Sequence, residues 1–534
     1  MPDEAWGLIR AIPLPTGVPP NFLEDRIKKG GVRAVIPYIS RSLFDRRRGV
    51  AERTTALLSL LLQALPSSEL PALDQEMRAY SVWRSASWDR LEPGDLRHLK
   101  QGPANWASLA VLSMHGSGYV REAALQRLAE LRGGTELPYL FIRLNDWVAE
   151  IREFAESAVS ERLTLKDAAG LVHLLPLVGR ISHWSRAARN LESRIRAVLS
   201  SADSRLALLA GARAKDLAVR RQAVSLLIEA GGESMAAVLQ TALHDKDVVV
   251  RTRAAAAARE ALDGEQLRAA LEQMGRNRAA RVRQEALIGW VRRFPEESQD
   301  RLIDALLDRL AAARGLAQYE LRTRGFDVVE FYRRRISEAS SPEPEAIAGL
   351  GEVGTAEESR LVIPYLSSVD GRTRGAALHA VDRIGGAERA RLLVAALRDP
   401  APSVSKVARR AIVANPTGVD FAAVLAGFLQ DDRRYVRRNS FRVLITASKW
   451  SWLRYALIAS SDHDSEIRAE GLRQLDIWVL KWNRSFVEPT APDSEGINQA
   501  IDALDEELRA NVLDRIGFFL GPLKPLPKRS VEAP

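Results

Sequence analysis

The sequence predicts an all-α protein built as an α-solenoid, a superhelical array of about twelve or more short helix pairs. Three observations lead to this prediction. One residue pattern recurs at a nearly constant spacing, helix-capping residues flank each recurrence, and 534 residues are too many for one ordinary globular core. Hydrophobic residues make up 46% of the chain, which is enough to bury a continuous core.

The recurring pattern is an aliphatic residue followed by arginine, with a small residue four positions after the aliphatic one. The step between copies is nearly constant, for example from Val219 to Val250 and from Val250 to Val282, and about twelve units run from roughly 105 to 485. Degenerate units fill the two longer gaps, near Ser185-Arg186 and Ala313-Arg314 and in the segment ending at Gly354. The clear copies begin at Val120, Ile151, Val219, Val250, Val282, Thr373, Val404 (where Ser405 replaces the arginine), Val436 and Ile467.

Capping signals divide each unit into two helices. An aspartate stands five residues before the aliphatic position, for example at Asp245 and Asp399, where it can N-cap the second helix. Pro400 then takes the first helical position. Gly-Gly pairs at 231–232 and 385–386 supply left-handed C-caps at the end of the second helix.

The chain is expected to have three parts. Residues 1–104 form an irregular N-terminal helical cap with diverged repeats, 105–485 form the solenoid, and 486–534 form a C-terminal helix and a flexible tail. Cysteine is absent, which excludes disulfides and thiolate metal sites. The N-terminus does not have the pattern of a signal peptide and no apolar run is long enough to span a membrane, so a cytoplasmic protein is expected.

The consensus D-x4-V-R-x2-A resembles the HEAT-repeat family, in particular its short bacterial form, over about 70% of the chain. In that family the recurrent aspartate and arginine pair between neighbouring repeats. The resemblance therefore implies a structural role for a set of eight arginines: Arg121, Arg152, Arg220, Arg251, Arg283, Arg374, Arg437 and Arg468.

Signals for enzymatic chemistry are weak. Gly349-Leu-Gly351-Glu-Val-Gly354 matches a dinucleotide-binding motif literally, but it falls inside a helical repeat rather than between a strand and a helix. The seven histidines are scattered without the spacing of metal ligands. We expect no cofactor and no metal site.

Net charge is +9 with a pI near 9.8, and arginines cluster with interleaved aromatic residues. If extra arginines line the second helices, they form a positive trough suited to DNA or another polyanion. Trp290 lies inside the most basic unit and is the tryptophan most suited to stacking on a base. The predicted nucleic-acid-binding residues are Arg276, Arg278, Arg281, Trp290, Arg333, Arg334, Arg335 and Arg438.

Three functions remain open on the sequence: a solenoid whose basic concave face binds nucleic acid, a non-catalytic scaffold that grips a protein or peptide (such as an acidic protein segment) in its concave face, and an enzyme. The third rests on a resemblance to the HEAT-like DNA glycosylases, which are basic, tryptophan-rich and all-helical. No local motif transfers their catalytic residues. Candidate carboxylate–tryptophan pairs are Asp146/Trp147, Trp88/Asp89 and Asp476/Trp478. No membrane partner is expected, and the oligomeric state is open.

Overall fold

The computed structural model describes residues 3–10, 21–47, 49–78, 86–99, 105–181, 190–232, 235–482 and 486–520. Over these ranges the regular structure is entirely helical and no strand is present. The chain divides into two compact units, Met1–Ala286 and Leu287–Pro534. The expected all-α architecture of paired helices is confirmed, whereas the boundaries of the three predicted parts stay a prediction.

Unit 1 contains short helices near the N-terminus and longer helix pairs after residue 105. Its helices are α1 Asp3–Arg10, α2 Phe22–Gly30, α3 Ile36–Ser40, α4 Val50–Ala64, α5 Leu70–Arg78, α6 Ala86–Asp89, α7 Trp106–Leu112, α8 Gly118–Glu130, α9 Leu137–Ile142, α10 Ala149–Ser160, α11 Ala168–Ile181, α12 Leu191–Leu199, α13 Arg205–Gly211, α14 Leu217–Ala230, α15 Met235–Leu243, α16 Val248–Ala261, α17 Gly264–Gly275 and α18 Ala280–Arg293, which continues past the unit boundary.

Unit 2 continues the alternation of first and second helices. Its helices are α19 Gln299–Ala305, α20 Ala311–Thr323, α21 Val328–Ser337, α22 Pro344–Val353, α23 Ser359–Val362, α24 Gly371–Ile384, α25 Arg389–Ala396, α26 Pro402–Ala414, α27 Phe421–Gln430, α28 Arg434–Leu444, α29 Lys449–Ser460, α30 Ser465–Leu480, α31 Ala491–Asp502 and α32 Glu506–Ile516. Short 3-10 turns join several of them.

One repeat, formed by α15 and α16, shows why the sequence folds this way. Helices α15 and α16 pack against each other, and Leu239 and Leu243 of α15 are buried, as are Val250 and Ala254 of α16. The small residue one helical turn after the aliphatic one lets the two helices approach closely. The aliphatic and small positions of the sequence pattern are therefore the core positions of each helix pair.

The recurrent aspartate caps the turn rather than the helix. Asp245 accepts a hydrogen bond from the backbone N–H of Asp247 (2.7 Å), and Asp247 is the residue that caps α16, accepting from the N–H groups of Val249 and Val250. The predicted N-cap role of the recurrent aspartate is thus wrong by two residues. An Asx-turn must form before the chain enters the helix, because the two helices of a repeat fold back on each other.

Two further capping predictions have different outcomes. Pro400 lies before α26, and Pro402 occupies its first position instead. The glycine C-caps are confirmed, since Gly231 and Gly385 end α14 and α24 with φ of 65° and 83°. A left-handed backbone at these positions favours glycine.

The Gly-x-Gly-x-x-Gly segment lies on α22, where its glycines serve close packing. A Cβ on Gly349 would stand 2.3 Å from the ring of Tyr332, and one on Gly351 would stand 2.4 Å from the Cα of Ala380. Gly354 is the C-cap of α22, the position that Gly385 takes in α24. The expected degenerate unit at Arg314 is present as second helix α20, while Ser185-Arg186 lies outside the described residues.

Within the described ranges, no individual helix combines the length and the apolar character needed to cross a bilayer. The segments Val50–Ala64 and Ser67–Arg78 have sufficient length and composition when taken together, but they meet at an angle of 105°.

Candidate anion-binding site

The repeat arginines link each repeat to the next. Four of them pair with the aspartate in the turn of the following repeat, at nitrogen–oxygen distances of 2.8 to 3.0 Å: Arg121–Asp146, Arg220–Asp245, Arg374–Asp399 and Arg437–Asp462. Such a side chain can also reach back to the turn that precedes its own helix. Arg374, for example, donates to the carbonyl oxygens of Ser368 and Val369. The predicted structural role is confirmed for these four arginines.

The other repeat arginines bind their own turn. Arg152, Arg251, Arg283 and Arg468 each donate to a carbonyl oxygen six residues earlier. In the degenerate unit, Arg314 finds its carboxylate on α22, where its Nε lies 3.1 Å from Glu352. These arginines are occupied by the framework of the repeats and contribute little to a surface that binds a partner.

The residues predicted to bind nucleic acid are not on one row of helices. In unit 1, Arg276 follows α17, Arg278 lies in the next turn, and Arg281 is on second helix α18. In unit 2, a first helix, α21, carries Arg333, Arg334 and Arg335, whereas Arg438 is on second helix α28.

Most of these arginines have acidic partners. Arg333 pairs with Glu358, Arg334 with Glu330 at 2.8 Å, and Arg335 with Glu343 at 2.9 Å. Arg276 lies 3.8 Å from Glu272 and is highly exposed. Their charge is partly neutralised within the protein, and their assignment to nucleic-acid binding stays a prediction.

Trp290 is part of the core of unit 2. Its side chain is 4% exposed, the guanidinium of Arg301 lies 3.7 Å from the ring centre, and Phe294 packs beside it. A nucleic-acid base has no access to this ring in the structure. Among the described tryptophans the exposed one is Trp147, at 62%, while Trp83 and Trp184 lie outside the described residues.

Five arginines of unit 2 do converge, on three successive second helices. Arg409 and Arg410 are on α26, Arg438 and Arg442 on α28, and Arg473 on α30. Three of them share one carboxylate, Glu470, which is buried and lies 3.0 Å from Arg438, 2.8 Å from Arg442 and 3.4 Å from Arg473. We call these five arginines with Glu470 the Arg409 cluster.

Arg409 has no acidic partner of its own in this cluster. Its Nε is buried without a hydrogen-bond partner among the residues described, and the side chain is half-buried. Burial, together with the positive charges of Arg442 and Arg410, lowers the pKa of Arg409, although the negative charge of Glu470 acts in the opposite direction. Burial alone would raise the pKa of Glu470, but Arg442 and Arg438 lower it, so this carboxylate is ionised at neutral pH. One negative charge therefore faces five positive charges.

The cluster combines features that favour an oxyanion. Guanidinium groups present forked N–H donors that match phosphate and carboxylate oxygens. A partly buried cation without a counter-ion costs free energy that a bound anion would recover. The arrangement supplies binding and charge neutralisation; no nucleophile and no general base is part of it.

Sequence reasoning identified only part of this cluster. Arg438 is among the predicted residues and Arg442 belongs to the same basic segment, but Arg409, Arg410 and Arg473 were missed. A signal was available in the repeat register. Arg410, Arg442 and Arg473 each stand six residues after the aliphatic position of their unit, at Val404, Val436 and Ile467.

The carboxylate–tryptophan pairs do not form a catalytic arrangement. Asp146 is buried and contacts Arg121, Arg143 and Arg78 at 2.8 to 3.1 Å. Burial alone would raise the pKa of Asp146, but Arg121, Arg143 and the backbone N–H of Val148 lower it to about 2, so Asp146 is a weak base. Asp476 is exposed and pairs with Arg515 at 2.8 Å.

The described residues also contain no group of three or more His, Asp or Glu side chains placed to hold a metal ion. Asp89 is the remaining candidate carboxylate, and it borders a cavity of unit 1 described below.

Paired helices, buried aliphatic positions and the arginine–aspartate ladder define this chain as a HEAT-like repeat solenoid. No protein-family model matches the chain, and no curated protein matches it in sequence. Solved structures with a similar arrangement of helices include one of Kap95p binding to RanGDP, with 14% identity and a TM-score of 0.35 over 94% of this chain and 68% of that one.

Two other similar structures are longer than this chain. The C-terminal fragment of the Chaetomium thermophilum cohesin loader SCC2 is 12% identical with a TM-score of 0.36, and the match covers 91% of this chain and 46% of the fragment. Kap121p bound to Ste12p is 12% identical with a TM-score of 0.24, over 98% of this chain and 57% of Kap121p.

Proposed function

We propose that this chain is a non-catalytic binding protein and that the Arg409 cluster binds the phosphate backbone of a nucleic acid. The observation that supports this proposal is Arg409 itself, a half-buried guanidinium with no ion-pair partner among the described residues, beside Arg410 and three further arginines that share one carboxylate. The attraction of Glu470 for Arg409 is outweighed by burial and by the neighbouring arginines, so the charge of Arg409 is expected to serve binding.

The position of the cluster supports a repeating partner. Its arginines come from three successive second helices, and packed helices lie about 8–10 Å apart. A polyanion that crosses these helices would meet a new guanidinium at each step, and every phosphate contact would release a counter-ion. An acidic protein segment also carries negative charge, but at less regular spacing. It is the alternative partner, and the test must distinguish it from a nucleic acid.

The test measures binding to labelled single-stranded and duplex DNA by fluorescence anisotropy over a salt series. We expect the wild type to bind with a steep dependence on salt. Arg409→Gln combined with Arg410→Gln should remove about two phosphate contacts and so reduce the slope of log K against log salt by about 2 for duplex DNA. Because the pair makes no ion pair within the described residues, its loss should leave thermal stability unchanged or raised.

A matched control removes two arginines of the same unit outside the cluster. Arg372 and Arg391 are both exposed and pair with Glu345 and Glu388; changing both to glutamine should leave DNA binding nearly unaltered. No DNA binding by the wild type at low salt would reject the nucleic-acid proposal. If polyglutamate then binds and the Arg409/Arg410 variant does not bind it, the partner is an acidic protein segment.

A glycosylase activity is not proposed. Its requirement, an accessible carboxylate of raised basicity among aromatic side chains, is not met by Asp146 or Asp476.

A further inference from the structure

A second feature, independent of the Arg409 cluster, lies entirely in unit 1. A cavity of about 650 Å³ is enclosed by α2, α3, α5, α6 and the turns that precede α8 and α10. This volume is in the range of about 300–1,000 Å³ that small-molecule sites occupy in proteins. We call it the Trp147 cavity, after the exposed tryptophan at its edge.

Three arginines of the cavity wall lie against aromatic rings. The guanidinium of Arg26 is 4.8 Å from the ring centre of Tyr38, and that of Arg41 is 5.9 Å from the same ring. The guanidinium of Arg78 is 5.5 Å from the ring centre of Trp147. A guanidinium that stacks on a ring by its face keeps its N–H groups at the edge, where they can donate to an anion. Arg78 already donates in this way to Asp74 and Asp146, each at 3.1 Å.

The charge of Arg26 has no acidic partner in this cavity. Its Nε is buried without a hydrogen-bond partner among the described residues, and its guanidinium contacts the rings of Phe22 and Tyr38. Of the two acidic residues of the wall, Glu76 lies 3.1 Å from Arg33. The other acidic residue, Asp89, attracts the positive charge of Arg41.

Trp147 is unusual for its position in the repeat. It follows the recurrent aspartate directly, where other units have Lys246, Pro400, Asp432 and His463. These residues are polar or small, as is usual for an exposed turn. A tryptophan that stays 62% exposed beside a cavity presents a large ring surface that a planar ligand could cover.

An uncharged histidine is also part of the wall. His115 accepts a hydrogen bond at Nδ1 from the backbone N–H of Ser117 (3.0 Å), so its proton is on Nε2, which donates to the carbonyl oxygen of Trp88 (2.9 Å). Burial lowers the pKa of His115, which keeps the ring uncharged at neutral pH. The arginines are therefore the groups of the cavity that can neutralise an anion.

We infer that the Trp147 cavity binds a small ligand in which an oxyanion is joined to a planar ring, the oxyanion contacting Arg26 and the ring stacking on Trp147. A nucleoside monophosphate and O-phosphotyrosine both have this chemistry. The site goes beyond the proposed function, because it uses another unit and none of the residues of the Arg409 cluster.

The test is isothermal titration calorimetry of the full chain with five probes: adenosine monophosphate, adenosine, inorganic phosphate, O-phosphotyrosine and tyrosine. We expect at least one phosphorylated ring compound to bind about tenfold or more tightly than its unphosphorylated form, which lacks the charge-assisted hydrogen bonds of the phosphate, and than inorganic phosphate, which lacks the stacking ring. Whichever of the two phosphorylated compounds binds more tightly shows whether the ligand is a nucleotide or a phosphorylated tyrosine.

Two variants and two controls test the assignment of residues. Arg26→Gln should weaken the phosphorylated ligand but not the unphosphorylated one, and Trp147→Leu should weaken both. The controls Arg132→Gln and Tyr319→Leu change an exposed arginine and an exposed ring elsewhere, and they should bind like the wild type. The inference is overturned if inorganic phosphate binds as well as the phosphorylated rings, if no probe binds at millimolar concentration, or if both variants, with wild-type circular dichroism, bind normally.

Discussion

At the scale of single residues, buried charge in this protein is of two kinds. Asp146 is surrounded by Arg121, Arg143 and Arg78, and each of its oxygens accepts hydrogen bonds from them. Arg409 has the opposite environment, since the arginines beside it repel it. The arrangement around Asp146 stabilises the folded chain. The charge of Arg409 is only partly neutralised within the protein, so a bound anion would neutralise the rest.

Asp146→Asn should lower the free energy of unfolding by about 3–5 kcal/mol, because it leaves Arg121 and Arg143 buried with too little negative charge. The pKa of Asp146 is lowered to about 2 in the folded chain, below its ordinary value of 3.8. Its contribution is therefore complete above about pH 4 and disappears as the pH falls through 2. Urea denaturation followed by circular dichroism should show the difference between wild type and variant shrinking over that range.

The matched control is Asp476→Asn, which breaks the exposed pair with Arg515 and should cost less than about 1 kcal/mol. An equal effect of the two substitutions, or a difference for Asp146→Asn that does not change between pH 7 and pH 2, would contradict the assignment of Asp146.

At the scale of helices, the packing distance is set by small side chains at the contact. α22 approaches α24 so closely that a Cβ on Gly351 would lie 2.4 Å from the Cα and 2.5 Å from the Cβ of Ala380. The obstacle includes backbone, which cannot rotate away as a side chain can. In α24 itself, Gly375 is different, since a Cβ there would lie 3.9 Å from Val404, an ordinary contact.

Gly351→Ala and Gly375→Ala are therefore expected to have opposite effects. The first should destabilise by about 1–3 kcal/mol, because the two helices must separate. The second should stabilise by about 0.5–1 kcal/mol through helix propensity. Thermal unfolding of both variants measures the two signs, and an unchanged or raised midpoint for Gly351→Ala would show that the α22–α24 contact tolerates a methyl group.

At the scale of the whole molecule, a repeat array differs from a globular domain in how far along the chain a destabilising substitution has an effect. Each helix pair of this chain packs mainly against its sequence neighbours, as the contacts α20–α22, α22–α24 and α24–α26 illustrate. Stability in such an array is a sum of repeat terms and nearest-neighbour terms. A destabilising substitution is therefore expected to lower protection against hydrogen exchange only in the repeats close to it.

Hydrogen exchange of the Gly351→Ala variant tests this expectation. Peptides from α21 to α24 should exchange faster than in the wild type, whereas peptides from α15 and α16 should keep wild-type rates, since these two helices belong to the other compact unit. A uniform loss of protection along the chain would mean that the whole protein unfolds as one cooperative unit.

The fold class was predictable because its determinants are close in sequence. The repeat period, the buried aliphatic position at Val250 and the left-handed glycine at Gly385 each follow from residues within one repeat. The pairing of Arg374 with Asp399 was expected from the resemblance to the HEAT-repeat family, in which the recurrent arginine and aspartate pair between neighbouring repeats. The cap at Asp245 was placed two residues early, because a sequence pattern does not show how long the turn must be before the helix begins.

The sequence by itself thus determined a helical repeat array and the arginines that hold its repeats together. Only the tertiary structure decided which of the other arginines have acidic partners. Arg333 pairs with Glu358 and Arg438 with Glu470, each partner lying outside the helix of its arginine, whereas Arg409 has no ion-pair partner among the described residues. The physical reason is that ion pairing and the exposure of aromatic rings depend on which side chains of neighbouring helices are in contact. Composition and local spacing do not specify these contacts.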